Sequence, residues 1–212
     1  MKHKYIAVEG AIGVGKSSLV EALASRFDSA KVMESIENPF LVDFYNDRQG
    51  AAFQAQLFFL LSRYRQLTDH LQQDLFSRLV IADYVFEKDK IFAYLNLTDD
   101  ELLIYDKLFS LLAPKVPRPD LVIYLQAGNE VLMSRIHKRR RDFEANLSER
   151  YISEVNRSYN HYFFHYDATP LLVVNTSDID FVNREEDLED LIEQIRAMEK
   201  GVQYYVPLGS RA

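Results

Sequence analysis

Cysteine and tryptophan are both absent from the 212-residue sequence. Without cysteine the chain has no disulfide, no thiolate zinc site and no cysteine nucleophile, which fits a reducing cytoplasm. Long apolar runs are absent too, because no stretch reaches the roughly 18 consecutive apolar residues that a membrane-spanning helix needs. The first residues lead into a short apolar segment that lacks the length and cleavage site of a signal peptide. We therefore expect a cytoplasmic protein with no membrane partner.

Positive charge is also scarce. The formal net charge is −7, with 25 Lys and Arg residues against 32 Asp and Glu residues. Proteins that bind nucleic acid through its phosphates need a net basic face, so no nucleic-acid partner is expected. A hydrophobic fraction of 48% and a charged fraction of 27% are ordinary for a globular protein. Because no repeat and no Gly- or Ser-rich linker interrupts the chain, residues 1–212 are expected to form a single domain.

Short apolar runs alternate with longer helical patterns along the chain. This alternation predicts an α/β fold in which a parallel sheet is flanked by helices. Five strands are expected, at residues 5–8, 30–33, 79–82, 121–125 and 171–174. Helices are expected at residues 16–27, 51–76, 129–140, 148–166 and 184–200, with a helix pair before Pro114.

A glycine-rich segment directly follows the first predicted strand. Residues 10–17 match the phosphate-loop pattern G-x-x-x-x-G-K-[ST] in full. The backbone N–H groups of such a loop, with the N-terminus of the next helix, cradle phosphate groups. Lys16 would reach the outer phosphates, and the Ser17 hydroxyl would bind Mg²⁺. The motif predicts a three-layer P-loop NTPase-like fold and a nucleoside triphosphate site made by Gly10, Ala11, Ile12, Gly13, Val14, Gly15, Lys16, Ser17 and Ser18.

Acidic residues follow three of the predicted strands, at the edge where a parallel α/β sheet binds its ligands. Asp83 is expected to hold the magnesium ion or its water, as a Walker-B carboxylate does. Glu34 is expected to face the attacking hydroxyl and to take its proton as a general base. Glu9, immediately before the phosphate loop, is expected to support the loop from behind. The alternative for Asp83 and Glu34 is a solvated surface position without function.

Basic residues are concentrated at residues 135–141, where six of the seven are basic. In an acidic protein with a phosphate loop, this cluster predicts a lid that closes over the transferred phosphoryl group. Arg135, Arg139 and Arg141 would offset the negative charge of that group. The alternatives are a surface patch or a set of charges that complements the helix C-terminus.

Together these segments resemble the deoxynucleoside kinase family, especially its bacterial deoxyadenosine and deoxyguanosine kinases. The resemblance extends from Gly10 to about Phe181. Residues 34–36, Glu-Ser-Ile, are similar to the Glu-Pro-Val segment whose glutamate is the general base in the family. The resemblance assigns that role to Glu34, with Glu37 as the alternative because Ser35 replaces the proline.

The resemblance also implies which residues bind the nucleoside. Gln56, Arg63 and Asp89 are similar to family residues that contact the nucleobase. Tyr45 stands where the family has a tyrosine at the sugar 3′-hydroxyl, and Glu144 resembles its sugar-binding glutamate. Asp83 begins the segment that reads Glu-Arg-Ser or Asp-Arg-Thr in relatives, residues 135–146 resemble the lid, and residues 176–181 resemble the loop at the donor adenine.

The activity that this resemblance implies is ATP-dependent phosphorylation of the 5′-hydroxyl of a deoxynucleoside, with purines favoured, in nucleotide salvage. ATP and Mg²⁺ are the implied cofactors. A homodimer formed through long helices is also implied, and the segment at residues 51–76 has an apolar face wide enough to serve.

Two positions depart from the family pattern. Tyr84 replaces an arginine that helps to position the acceptor, and tyrosine cannot supply its fixed charge. Arg63, Lys88 or a lid arginine would have to provide that charge. Arg140 replaces the glycine between the lid arginines.

Two other functions are compatible with a phosphate loop. Thymidylate kinase or another nucleoside monophosphate kinase is one, but its anionic acceptor needs an arginine beside the position of Asp83, where this chain has Tyr84. A non-catalytic nucleotide-dependent switch is the other. A GTPase would need the guanine-binding pattern Asn-Lys-x-Asp, which the sequence lacks.

Overall fold

The computed structural model describes residues 2–35, 37–46, 48–74, 79–139 and 147–207. The strands are β1 (Tyr5–Gly10), β2 (Ala30–Val32), β3 (Val80–Ala82), β4 (Leu121–Gln126), β5 (Leu171–Asn175) and β6 (Val202–Tyr205). The helices are α1 (Lys16–Phe27), α2 (Leu41–Tyr45), α3 (Ala51–Asp74), α4 (Lys88–Asn96), α5 (Asp99–Leu112), α6 (Asn129–Arg139), α7 (Glu149–Phe164) and α8 (Glu185–Ala197). Across these ranges, no helix combines the length and apolar character needed to cross a membrane.

The sheet is parallel throughout and has the order β2-β3-β1-β4-β5-β6. The α/β class with helices around a parallel sheet is therefore confirmed, but the described residues form six strands where five were expected. The additional strand, β6, lies at the edge and pairs only with β5. Its four residues alternate between exposed and half-buried positions. Such a short, weakly apolar segment does not stand out from a loop in the sequence.

Strand β1 lies in the middle of the sheet and connects in sequence to the phosphate loop. All six of its residues are buried, as are all three of β3. Buried parallel strands are expected to be continuous apolar runs, which is how they were found in the sequence. Because β1 lies between β3 and β4, the strand order reverses at β1. A ligand crevice forms at the carboxyl ends of the strands at such a point.

Two of the helices begin at residues whose side chains cap the first turn. The Ser148 hydroxyl accepts a hydrogen bond from the backbone N–H of Tyr151 at 3.2 Å, which confirms the predicted N-cap of α7. Thr98 and Glu101 form a reciprocal capping box at the start of α5. The short helix α2 was not predicted, since five residues are too few to give a helical pattern.

The central and edge strands are expected to differ in their contribution to stability. Val174 of β5 is completely buried, whereas Val202 of the neighbouring β6 is 49% exposed. Val174→Ala should therefore lower the free energy of unfolding by about 2 kcal/mol, because two buried methyl groups are lost and a cavity remains. The matched change Val202→Ala should cost less than about 0.5 kcal/mol. Urea denaturation of the two variants measures the difference, and equal losses would contradict the assignment of β6 to an exposed edge.

Candidate active site

A cavity of about 460 Å³ opens at the carboxyl ends of the central strands. The phosphate loop, the end of β2, the end of β3 and one side of α3 all contribute to its wall. Most residues that were predicted from the sequence to act in catalysis or substrate binding, and that the structure describes, meet here. The predicted residues in its lining are Ile12, Gly13, Lys16, Ser17, Glu34, Tyr45, Gln56, Arg63, Asp83 and Arg139.

The phosphate loop has the tight curvature that its glycines allow. Gly10 and Gly13 have φ values of 151° and 86°, which residues with a Cβ rarely adopt. A Cβ on Gly10 would lie 2.5 Å from the carbonyl oxygen of Leu125, and one on Gly13 would lie 2.9 Å from that of Leu132. The loop therefore passes close to the backbone of β4 and α6, and glycines in such a loop allow its backbone N–H groups to turn towards a phosphate. This geometry fits a bound triphosphate.

Lys16 lies against the loop that it follows. Its ammonium donates hydrogen bonds to the carbonyl oxygens of Gly10 at 2.7 Å and Ala11 at 3.3 Å. Burial and the nearby positive charge of Lys88 lower the pKa of Lys16 to about 8. The Lys16 side chain is thus held against the phosphate loop. A bound triphosphate would stabilise its positive charge and raise its pKa again.

Asp83 connects the phosphate loop to the second strand. One carboxylate oxygen accepts a hydrogen bond from the Ser17 hydroxyl at 3.0 Å, and the other accepts one from the backbone N–H of Glu34 at 2.5 Å. Burial and the negative charge of Glu34 raise the pKa of Asp83. A serine hydroxyl beside a carboxylate is a suitable oxygen ligand pair for Mg²⁺. In the described ranges, no group of three or more His, Cys, Asp or Glu side chains is arranged to hold a metal ion.

Glu34 has a cation on each of its carboxylate oxygens. Arg63 donates to Oε1 through Nη2 at 2.5 Å and Nε at 3.2 Å, and Lys88 donates to Oε2 at 2.5 Å. Burial by itself raises the pKa of Glu34, but the charges of Lys88 and Arg63 outweigh burial and hold the pKa well below its usual range. Glu34 is therefore ionised at neutral pH. Glu37, the alternative base, is exposed and is absent from the cavity lining.

The three residues predicted to contact a nucleobase are held together by hydrogen bonds. Asp89, which is fully buried, accepts from Arg63 and from the Tyr105 hydroxyl, the latter at 2.8 Å. The Gln56 side-chain amide donates to the backbone carbonyl of Asp89 at 2.9 Å. Gln56 and Arg63 line the cavity, whereas Asp89 lies behind them and outside the lining. Asp89 would therefore act on a ligand by orienting Arg63.

Glu9 is fully buried behind the loop, as its position in the sequence predicted. Its carboxylate accepts hydrogen bonds from the backbone N–H groups of Gly10 at 3.0 Å and Val85 at 2.9 Å. Burial raises the pKa of Glu9. The positive charge of Lys88 lowers it by less, so the pKa stays above its ordinary value. Glu9 thus joins the first residue of the phosphate loop to the segment after β3.

The predicted lid residues lie in different environments. The Arg135 guanidinium donates to the carbonyl oxygens of Val14 at 3.0 Å and Thr176 at 2.7 Å, and to the Thr176 hydroxyl at 3.1 Å. It is outside the cavity lining and joins α6 to the phosphate loop and to the segment after β5. Arg139 is exposed and lines the cavity. Arg141 and Glu144 lie outside the described residues, as does Arg140.

Tyr84, which replaces the family arginine, is turned away from the cavity. Its ring is completely buried, and its hydroxyl donates to the side-chain oxygen of Gln66 at 2.7 Å. Gln66 in turn donates to the carbonyl oxygen of Met33 at 2.7 Å. Tyr84 therefore supports the packing of α3 against the end of β2.

The aromatic wall of the cavity was not predicted residue by residue. Its members come from four helices and have no common spacing in the sequence: Phe44, Phe59, Phe92, Tyr151 and Tyr159. Only the high content of 13 tyrosines and 14 phenylalanines suggested a stacking slot for a planar base.

Known proteins are similar to this chain over most of its length. The family model described as deoxynucleoside kinase matches residues 6–199. Deoxyguanosine kinase of Bacillus subtilis (strain 168) is 35% identical over 202 residues, which cover 92% of this chain and 97% of that protein. Deoxyadenosine/deoxycytidine kinase of the same bacterium is 30% identical over 208 residues, covering 93% and 94%. Deoxyadenosine kinase of Dictyostelium discoideum is 33% identical over 200 residues, covering 91% and 78%.

The fold is also similar to a solved structure, that of deoxyadenosine kinase from M. mycoides with bound dCTP. The TM-score is 0.76 at 24% sequence identity, over 92% of this chain and 100% of that chain. At this level of identity the likeness supports the fold alone.

ATP binding is expected to weaken as the pH rises through about 8, the pKa of Lys16 in the nucleotide-free protein. Below that pH the side chain of Lys16 is a charged ammonium that attracts phosphate. Above that pH it is a neutral amine, which must take up a proton when ATP binds, and this weakens binding. Calorimetric titration from about pH 6.5 to about pH 9 should give a constant dissociation constant at the acid end and a rise of about tenfold at the alkaline end. In Lys16→Met the dissociation constant should be high and independent of pH. A flat profile for the unmodified protein would contradict this prediction.

Proposed function

This chain belongs to the deoxynucleoside kinase family, and we propose that it transfers the γ-phosphoryl group of ATP to the 5′-hydroxyl of a deoxynucleoside in nucleotide salvage. The observation that carries the proposal is the position of Glu34. Its ionised carboxylate lines the same cavity as Lys16 and Ser17 of the phosphate loop. A carboxylate and a phosphate cradle that face one cavity suit the activation of a hydroxyl beside a bound triphosphate.

The donor side is formed by the phosphate loop, residues 10–18, and by Asp83. The loop amides and Lys16 would bind the phosphates of ATP, and the Ser17 hydroxyl and the Asp83 carboxylate would hold Mg²⁺ or its water. When bound, the metal ion supplies positive charge to the phosphate oxygens. Arg135 would stabilise the donor side through Val14 and Thr176, and Arg139 and Arg141 would approach from the lid at residues 135–146.

The acceptor side is formed by the aromatic wall and the polar residues of α3. Gln56 and Arg63 would bind the edge of the base, with Asp89 orienting Arg63. Tyr45 and Glu144 would bind the sugar. We favour a purine base, because deoxyguanosine kinase and deoxyadenosine kinase are among the relatives that share 33–35% of their residues with this chain. A site that hydrogen-bonds a base edge rejects bases that leave its buried polar groups unpaired.

The chemical role of this chain's residues is orientation and charge stabilisation. Glu34 would accept the proton of the 5′-hydroxyl as that oxygen attacks. The backbone N–H of Glu34 is bound to Asp83, which also holds Ser17, so the base and the metal-binding hydroxyl share one anchor. Such fixed geometry between donor and acceptor is a large part of catalysis in phosphoryl transfer.

A nucleoside monophosphate kinase is a weaker alternative. Its acceptor carries a phosphate, which needs an arginine beside Asp83. The residue at that place, Tyr84, is buried and bound to Gln66, away from the cavity. A non-catalytic switch is weaker still, because it would not need the ionised Glu34 in the cavity.

We also propose that the protein is a cytoplasmic homodimer. Three large apolar residues of α5 are exposed in the single chain: Leu103, Ile104 and Leu111. Helix α5 contacts α3, so a shared surface of the two helices is a suitable dimer contact. Light scattering on the purified protein distinguishes a dimer from a monomer.

Assays with ATP, Mg²⁺ and each of the four deoxynucleosides test the proposed activity. We expect phosphorylation of deoxyguanosine or deoxyadenosine at the highest kcat/KM, because the purine kinases are among the relatives. The monophosphate dTMP serves as the comparison acceptor. Phosphorylation of dTMP without that of any deoxynucleoside would contradict the proposal, and hydrolysis of ATP without an acceptor would favour the switch.

Glu34 and Glu37 form a matched pair for testing the general base. Glu34→Gln should lower kcat by about 10²–10⁴-fold, because the amide cannot take the proton. The dissociation constant for ATP should change little, since Glu34 lies on the acceptor side. Glu37→Gln removes the same charge from an exposed position and should leave kcat within about twofold. A large loss in Glu37→Gln alone would transfer the role to that residue.

A further inference from the structure

Lys88 is a buried cation in the wall of the active-site cavity. Only 4% of its surface is exposed, and its ammonium donates to Glu34 at 2.5 Å. Among the described residues Glu34 is the hydrogen-bond acceptor of this ammonium, which carries three N–H donors. The ammonium also lies over the ring of Phe92, 5.9 Å from its centroid, and has no second hydrogen-bond acceptor among the described residues.

The place of Lys88 in its helix is unfavourable for a positive charge. Lys88 is the first residue of α4, and the N-terminus of a helix carries partial positive charge. Burial adds the cost of removing an ammonium from water. A lysine at an exposed position nearby would avoid both costs. The position in the helix therefore does not favour a cation, and the group that does favour one is the Glu34 carboxylate in the cavity wall.

The charges around Glu34 show what Lys88 adds. The Arg63 guanidinium is shared between the two carboxylates of Glu34 and Asp89. One positive charge between two negative charges leaves a net negative site, next to which the negative phosphoryl group would have to pass during its transfer. Lys88 balances the cluster and adds the second cation on the side of Glu34 that Arg63 does not occupy.

The positive charge of Lys88 also acts on the phosphate loop. Its positive charge is, after burial, the main cause of the lowered pKa of Lys16. Lys88 is therefore near both the predicted base and the lysine that binds the outer phosphates. The other residues considered for this charge are less suitable, since Arg63 is shared between two carboxylates and Arg139 is exposed to solvent that screens it.

We propose that Lys88 supplies the fixed positive charge of the acceptor side, which Tyr84 cannot supply. Its ammonium positions the Glu34 carboxylate and stabilises the negative charge of the phosphoryl group as that group passes from ATP to the nucleoside. The cation thus comes from the first turn of α4 instead of the residue that follows Asp83. This inference rests on the proposed kinase activity.

Steady-state kinetics of Lys88→Met, with the deoxynucleoside that the unmodified protein phosphorylates best, tests the inference. We expect kcat to fall by about 10²-fold or more, since charge stabilisation is lost in the transition state. The KM for the nucleoside and the dissociation constant for ATP should each change by less than about fivefold. Lys88→Arg, which keeps the charge, should recover at least about a tenth of the lost activity.

Two further measurements separate this role from a structural one. Lys88→Ala should regain activity when ethylammonium is added, because the small cation can occupy the vacated position, whereas uncharged ethanol should have no effect. Lys90→Met is the matched control: Lys90 lies on the same helix, pairs with Asp106 and is outside the cavity lining. It should leave kcat within about twofold.

The outcomes distinguish failure of the inference from failure of the proposed function. If the unmodified protein phosphorylates a deoxynucleoside and Lys88→Met retains kcat within about threefold, the inference is wrong while the function stands. If Lys88→Met loses activity but neither Lys88→Arg nor ethylammonium restores any, Lys88 is structural and the inference is also wrong. If no deoxynucleoside is phosphorylated by the unmodified protein, the proposed function fails and the inference fails with it.

Discussion

The arrangement of the site depends on one buried carboxylate, whose two oxygens accept hydrogen bonds from two different segments of the chain. Asp83 binds the hydroxyl of Ser17 with one oxygen and the backbone N–H of Glu34 with the other. The first contact belongs to the phosphate loop and the second to the strand that carries the predicted base. Because β2 and β3 are parallel neighbours, their carboxyl ends meet, and a single side chain can span the two. The distance between donor and acceptor groups is therefore set by the sheet itself.

From this anchor, alternating charges extend into the wall of the cavity. The order of contacts is Asp89, Arg63, Glu34 and Lys88, with each residue bound to the next. Each charge has an opposite charge beside it, which is what allows four ionised groups to be buried together. The tyrosine hydroxyl of Tyr105 closes the series at Asp89. Side chains fixed in this way lose little orientation when a ligand enters, which favours catalysis by a preorganised site.

The parts of this architecture that the sequence predicts are those encoded within short segments. The phosphate loop is a contiguous pattern, and Glu34 and Asp83 could be assigned to one edge because parallel strands end together. Strand β6 was missed, since its pairing with β5 comes from the fold and its own four residues carry little signal. Pattern alone also could not choose between Arg63 and Lys88, because their distances to Glu34 depend on how two helices pack. The same holds for Arg135. The basic segment that contains it was recognised in the sequence, but its partner Thr176 is 41 residues away along the chain and could not be predicted.

The opposite pKa shifts of neighbouring carboxylates affect how the protein responds to acid. Glu34 has a lowered pKa, so its ionisation stabilises the fold above the ordinary glutamate range, and that contribution is lost as the pH falls. Glu9 and Asp83 have raised pKa values, so they take up protons more readily in the folded chain than in the unfolded chain. Acidification therefore stabilises the fold at these two residues while it removes support at the third. The two effects fall in different pH ranges, because Glu9 and Asp83 take up protons above the ordinary carboxylate pKa, whereas the support from Glu34 is lost only as the pH falls below it. Mild acid therefore does not remove the contribution of Glu34, and stronger acid does.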